Sequence, residues 1–118
     1  MNLNLKDKVI VVTGGAKGIG LGICQVLAAE GAIPFIIGRN ETDNIKAVKE
    51  IEANGGRAKY TQAELTNPED CKNAIQQVIT QCGQIDGLVN NAGVNDGVGL
   101  ESGNYDSFMA SLHKNLVH

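Results

Sequence analysis

Long apolar runs are missing from this chain of 118 residues. Nowhere do the roughly eighteen consecutive apolar residues of a membrane span occur, and Met1-Asn2-Leu3-Asn4-Leu5-Lys6-Asp7 lacks the apolar stretch of a secretory signal. The expectation is a soluble, cytoplasmic protein with no membrane partner. Charge of one sign is missing too: 13 acidic and 10 basic residues give a net charge of -3 and a pI near 5.3, with no block of either sign. That balance argues against nucleic acid as the principal partner. Cysteine is scarce, and Cys24, Cys71 and Cys82 form neither a Cys-x-x-Cys pair nor an even set. A disulfide framework and a structural zinc site are both disfavoured, and Cys24 and Cys71 read as small buried hydrophobes. His113 and His118, five apart, do not share a helical face, and no Gly-x-Ser-x-Gly elbow occurs. No metal site is expected, and hydrolase chemistry finds no support.

What is present is enough for one compact domain and too little for two: 42% hydrophobic and 19% charged residues. The anomaly is glycine, whose 15 positions are nearly twice the usual share of about 7%. Their placement carries the argument.

Val9-Ile10-Val11-Val12 is a short β-branched run stopped by Thr13-Gly14-Gly15, the pattern of a strand buried on both faces. Ile19, Ile23, Val26 and Leu27 follow at helical spacing and end at Glu30-Gly31, with Gly31 as the C-terminal cap. Ile33-Pro34-Phe35-Ile36-Ile37 reads as a second strand, with Pro34 placed at its start because proline cannot donate to a ladder. Ile45, Val48 and Ile51 mark the face of a second helix that starts near Thr42-Asp43 and closes at Asn54-Gly55-Gly56. Residues 57–63 predict a weaker third strand, and Asn67-Pro68-Glu69-Asp70 opens a third helix carrying Cys71, Ala74, Ile75, Val78 and Cys82. After Gly83, Ile85-Asp86-Gly87-Leu88-Val89 is a fourth strand, and Phe108, Leu112 and Leu116 put a last helix in register from about Tyr105. Strict alternation of strand and helix implies parallel strands joined by right-handed crossovers. The expected fold is therefore an α/β doubly wound parallel sheet of four strands with flanking helices, a single domain over 1–118.

Thr13-Gly14-Gly15-Ala16-Lys17-Gly18-Ile19-Gly20 stands between the first strand and the first helix. In a doubly wound sheet that turn faces the ligand crevice. Glycine permits close approach there, and the first-turn N–H groups with the positive end of the helix dipole attract phosphate. The run is not a strict G-x-G-x-x-G, since Ile23 takes the third glycine's place, and it is not a Walker loop. A tight structural turn is the bland alternative; the position after a buried strand and before a helix favours nucleotide binding over it.

Thr-Gly-x-x-x-Gly-x-Gly at Thr13 to Gly20 and Asn-Asn-Ala-Gly at Asn90 to Gly93 together resemble the short-chain dehydrogenase/reductase family. The likeness covers the whole chain, which would correspond to the N-terminal half of a member with its Rossmann sheet. Within the family, Leu3 to Lys8 and Ala32-Ile33-Pro34 look most like sugar dehydrogenases of the L-fucose type. The resemblance implies that Gly14, Lys17, Gly18, Ile19 and Gly20 hold a dinucleotide pyrophosphate. It implies that Glu64, where the family usually has Asp, accepts from the adenine amino group beside Leu65. Asn91, Ala92 and Gly93 would lie under the adenosine ribose and toward the nicotinamide, and would also tie the fourth strand to its neighbour. Asn115 would be the catalytic asparagine, whose helix distortion frees a backbone carbonyl for a proton-relay water. By propensity alone it is an ordinary poor helix residue.

Cofactor choice follows from charge. A 2′-hydroxyl wants an acid after the second strand, and a 2′-phosphate wants cations. Gly38 supplies no acid, while Arg39 and Lys17 supply cations, so NADP is favoured over NAD; Glu41 could pair with Arg39 and weaken this. The family reaction is hydride transfer between nicotinamide and an alcohol or carbonyl, a sugar among the substrates, assisted by a tyrosine with a lysine four residues on. Here Tyr60 is followed by Glu64 and Tyr105 by Met109. The 118 residues alone are expected to be inactive, the full-length parent being the NAD(P)-dependent oxidoreductase. The alternative is a non-catalytic nucleotide-binding module or a subunit completed by a partner chain. The family's habit of association implies a homo-oligomer, and four strands alone would leave an edge open to pairing.

Overall fold

The computed structural model describes residues 4–91. In chain order these form β1 (Val9–Thr13), α1 (Gly18–Ala29), β2 (Ile33–Gly38), α2 (Glu41–Ala53), β3 (Lys59–Gln62), α3 (Pro68–Cys82) and β4 (Gly87–Asn90). Ala92, Gly93, Asn115 and the helix expected from about Tyr105 lie outside the described residues.

All pairings are parallel, in the order β3-β2-β1-β4, with Val11 level with Phe35 on one side and with Leu88 on the other. The continuous apolar runs become central strands because both of their faces are covered. Val9, Val11, Phe35 and Ile37 pack on one face against Cys71, Ala74, Ile75 and Val78 of α3. Ile10, Val12 and Ile36 pack on the other against Cys24 of α1 and Ala47 and Ile51 of α2. Helices on both faces make the sheet doubly wound, the Rossmann arrangement.

Pro34 sits where its missing N–H costs nothing. The Ile33 N–H donates to the Lys8 carbonyl at 2.8 Å, so the next nitrogen along β2 faces the β3 side, where the ladder begins only at Phe35 and Lys59. The weaker third strand is shorter than its alternation suggested, Lys59–Gln62. β4 likewise starts later, at Gly87. Asp86 is used to join it to β1: its backbone N–H donates to the Val9 carbonyl at 2.8 Å, and its Oδ2 accepts from the Val9 N–H at 2.8 Å.

One expected face is only partly right: Leu27 packs against the core, but two of its partners do not. Ile19, Ile23, Val26 and Leu27 were the apolar stripe of α1, yet Ile19 is 77% and Val26 62% exposed. The buried positions are Gly20 and Cys24. Gly20 lies against the Gly14 carbonyl of the turn, Cys24 lies in the core with Leu21 and Leu27 packed against it, and residues 19 and 26 fall on the opposite side of the helix. Among the described residues no helix is long and apolar enough to cross a membrane.

Candidate functional site

The C-terminal ends of β1 and β2 and the N-terminus of α1 meet around the glycine turn. Lys17 is the N-cap of α1 in extended conformation (φ -145°, ψ 160°), and it gives the helix no side-chain cap and no acid in its first turn. The other two helices begin differently. Asn40 accepts from the Asp43 N–H at 3.0 Å, and Asn67 accepts from Glu69 and Asp70 at 2.9 and 3.2 Å. Among the described residues the first turn of α1 thus has no side-chain cap, and the helix dipole favours an anion there.

Gly14 and Gly18 turn the chain with φ of 66° and 55°. Gly20 is required for a different reason: an added methyl would overlap the Gly14 carbonyl and lie 2.7 Å from Asn91 Nδ2. That amide donates to the Gly14 carbonyl at 3.3 Å. Thr13, fully buried, donates from Oγ1 to Asn90 Oδ1 at 3.0 Å and accepts from the Asn91 N–H at 2.9 Å. These bonds fasten the end of β4 to the end of β1, so Asn91 does hold the strand to its neighbour.

Beside the turn lies a cleft of about 260 Å³ lined by Gly14, Ala16, Lys17, Gly38, Arg39, Asn40, Asp43 and Asn44. It brings together Gly14, Lys17 and Arg39, as the sequence suggested, with Gly18, Ile19 and Gly20 in the adjoining first turn. Glu64 and Leu65 are not on its lining. Glu64 Oε1 turns back to its own loop, accepting from the Thr66 N–H at 3.4 Å, and Leu65 packs against the core under α3.

Two cleft residues escaped the sequence reading. Asp43, not Glu41, supplies the nearby carboxylate, and it holds Lys17 rather than Arg39: Lys17 Nζ to Asp43 Oδ2 is 3.1 Å. Asn44 is fully buried, donates from Nδ2 to the Gly38 carbonyl at 2.9 Å, and has an Oδ1 with no hydrogen-bond partner among the described residues. Only the three-to-four-residue period of α2 hinted that 44, 47 and 51 share a face; its polar member was passed over for Ile45 and Val48.

Below the turn, burial pushes the Cys24 thiol up to about 12, which keeps it protonated near neutral pH. Burial, with the Asp70 and Glu64 carboxylates behind it, raises Cys71 to about 11. Among the described residues no group of His, Cys, Asp and Glu could hold a metal.

A parallel doubly wound sheet with an uncapped helix behind a glycine turn, opening on a cleft at the strands' C-terminal ends, is a nucleotide-binding unit of the Rossmann type. The chain belongs to the short chain dehydrogenase family, whose model matches residues 8–117. It is 40% identical over 90 residues to the cyclopentanol dehydrogenase of Comamonas testosteroni, covering 76% of this chain and 36% of that protein. It is 40% identical over 93 residues to the sorbitol-6-phosphate 2-dehydrogenase of Klebsiella pneumoniae, covering 79% of this chain and 32% of that protein. Among solved structures, the L-sorbose reductase of Gluconobacter frateurii, complexed with NADPH and L-sorbose, superimposes with a TM-score of 0.81. Its sequence identity is 26%, and the match covers 99% of this chain and 49% of that one. The chain therefore spans less than half of the length of these relatives.

Proposed function

We propose that this chain is the dinucleotide-binding half of a nicotinamide-dependent oxidoreductase that acts on an alcohol or carbonyl, with sugar-type substrates in its range. The observation that carries the proposal is the uncapped N-terminus of α1 behind Gly14 to Gly20, opening beside a cleft lined by Lys17 and Arg39. The residues present fit the cofactor. First-turn amides would take the pyrophosphate, a methyl at Gly20 would block the backbone approach that makes the turn, and Lys17 and Arg39 would meet a 2′-phosphate. When bound, the cofactor supplies the hydride or accepts it.

NADP is proposed over NAD because Lys17 and Arg39 line the cleft and a 2′-phosphate wants cations. Glu64, whose Oε1 accepts from the Thr66 N–H, would present its other carboxylate oxygen to adenine. Asn91, with Ala92 and Gly93 after it, would face the ribose. Asn115 is proposed as the residue whose helix carbonyl holds a relay water, and association with further copies of the chain belongs to the same reading. Neither Tyr60 nor Tyr105 has a lysine four places on. The 118 residues are therefore proposed to bind the dinucleotide without turning it over.

Calorimetric titration of the protein with NADP+ and NAD+, alongside Arg39→Asp, tests this. NADP+ is expected to bind more tightly, and Arg39→Asp to weaken it by about tenfold or more, since a charge-assisted bond is replaced by repulsion. Equal affinity for the two dinucleotides overturns the preference. Absence of binding by both overturns the function.

A further inference from the structure

One of the two cations in the cleft, Lys17, is already paired. A ribose whose pyrophosphate sits at the first turn of α1 extends toward the C-terminal end of β2, and there the cleft wall carries a carboxylate as well as two cations. Asp43 is held in place from below, because Asn40 Oδ1 accepts from its backbone N–H at 3.0 Å. Its side chain is only 26% exposed, against 76% for Lys17. The carboxylate is thus the more buried and better anchored member of the pair.

The end of β2 itself cannot supply such an acid. A side chain at position 38 would run into Asn44 Oδ1, and Asn44 is fully buried and tied to the Gly38 carbonyl. The Ala63 N–H also donates to that carbonyl, at 3.1 Å, so the Gly38 backbone has no room to retreat. The carboxylate on the cleft's lining is instead Asp43, on the first turn of α2.

Resting on the reading of this cleft as a dinucleotide site, we infer that Asp43 sets its coenzyme selectivity. Its carboxylate accepts the ribose 2′-hydroxyl of NAD, and by pairing with Lys17 it withholds one of the two cations that a 2′-phosphate needs. Arg39 alone then carries the preference for NADP. A phosphate entering the cleft has to draw Lys17 away from Asp43 and to sit near a like charge, and both effects shrink the preference that Lys17 and Arg39 would otherwise produce.

The test is titration of wild type, Asp43→Asn, Lys17→Met and the double variant with NADP+ and with NAD+, with thermal melts in parallel. Asp43→Asn keeps the side chain's shape and the backbone cap from Asn40, so the melting temperature should hold to within a few degrees. NADP+ should bind about tenfold tighter to Asp43→Asn and NAD+ about threefold weaker. In the Lys17→Met background the NADP+ gain should fall to about threefold, the part due to repulsion alone. A ratio of the two affinities in Asp43→Asn within about twofold of wild type, with both dinucleotides bound, overturns the inference while leaving the cleft's function standing. A gain undiminished by Lys17→Met overturns the withholding of the lysine. Failure of wild type and variants alike to bind either dinucleotide overturns the reading of the cleft, and the inference with it.

Discussion

The helices α1 and α3 begin in opposite ways on opposite faces of one sheet. α3 is sealed: Pro68 fills its first position, Asn67 takes two of its free amides, and Glu69 and Asp70 offset its dipole. Asp70 even reaches out to accept from the Glu64 N–H at 2.9 Å. α1 starts with a lysine that caps nothing, a turn of glycines and an isoleucine bared to solvent. A sealed terminus has its polar groups satisfied within the protein. The open one has neither a side-chain cap nor an acid in its first turn; under the proposed function its donors serve the dinucleotide, at some cost in stability.

If that division holds, changes on the α3 side move stability without moving dinucleotide affinity, and changes at α1 move affinity. The largest effect tests the first half. Phe35, fully buried on the α3 face, should cost about 3–5 kcal/mol when cut to alanine, measured by urea unfolding, while the folded fraction keeps its affinity for NADP+. Loss of affinity at concentrations where the variant is still folded would break the division. Gly20→Ala comes next. Its methyl meets the Gly14 carbonyl, so about 1–3 kcal/mol of overpacking is expected, and here NADP+ binding should fail as well, because the turn must move. Retained affinity in Gly20→Ala would show that the turn is only structural. Asn67→Ala should cost about 1 kcal/mol from the lost cap and leave the titration unchanged.

The parts of this design that the sequence disclosed are those written in single short stretches. Val9 to Val12 and Phe35 to Ile37 are legible as strands because a strand covered on both faces must be apolar throughout. Asn67-Pro68 and Gly83 are legible as helix ends because capping chemistry needs those residue types. The face of α1 was legible only at Leu27, since hydropathy weighs Ile19 and Val26 above Gly20 and Cys24, the positions that are buried. The Lys17–Asp43 pair was hidden for another reason. Its members stand on separate elements, and only the parallel pairing of β1 with β2 brings the ends of those elements side by side. Asn44 was hidden by its polarity, for a buried amide reads as surface until its bond to the Gly38 carbonyl is seen.

The smallest effect is the most direct test of the comparison, because it makes α1 resemble α3. Position 17 already has the extended backbone of a cap residue, so Lys17→Ser needs no rearrangement to let a hydroxyl accept from the amides of the first turn. A cap is worth about 0.5–2 kcal/mol. Against it stands the loss of the Lys17–Asp43 pair, whose lysine is largely exposed and whose worth is about 0–1 kcal/mol. The net expectation is a gain of about 0.5 kcal/mol, read as a rise of a few degrees in the melting temperature. The same variant should bind NADP+ several-fold more weakly, since a hydroxyl now competes for the amides and a cation is gone. Stability and binding would then move in opposite directions at one residue, as they must if the open helix end is kept open for a ligand. A variant that melts lower and binds as wild type does would mean that Lys17 serves the fold and that the missing cap has nothing to do with the dinucleotide.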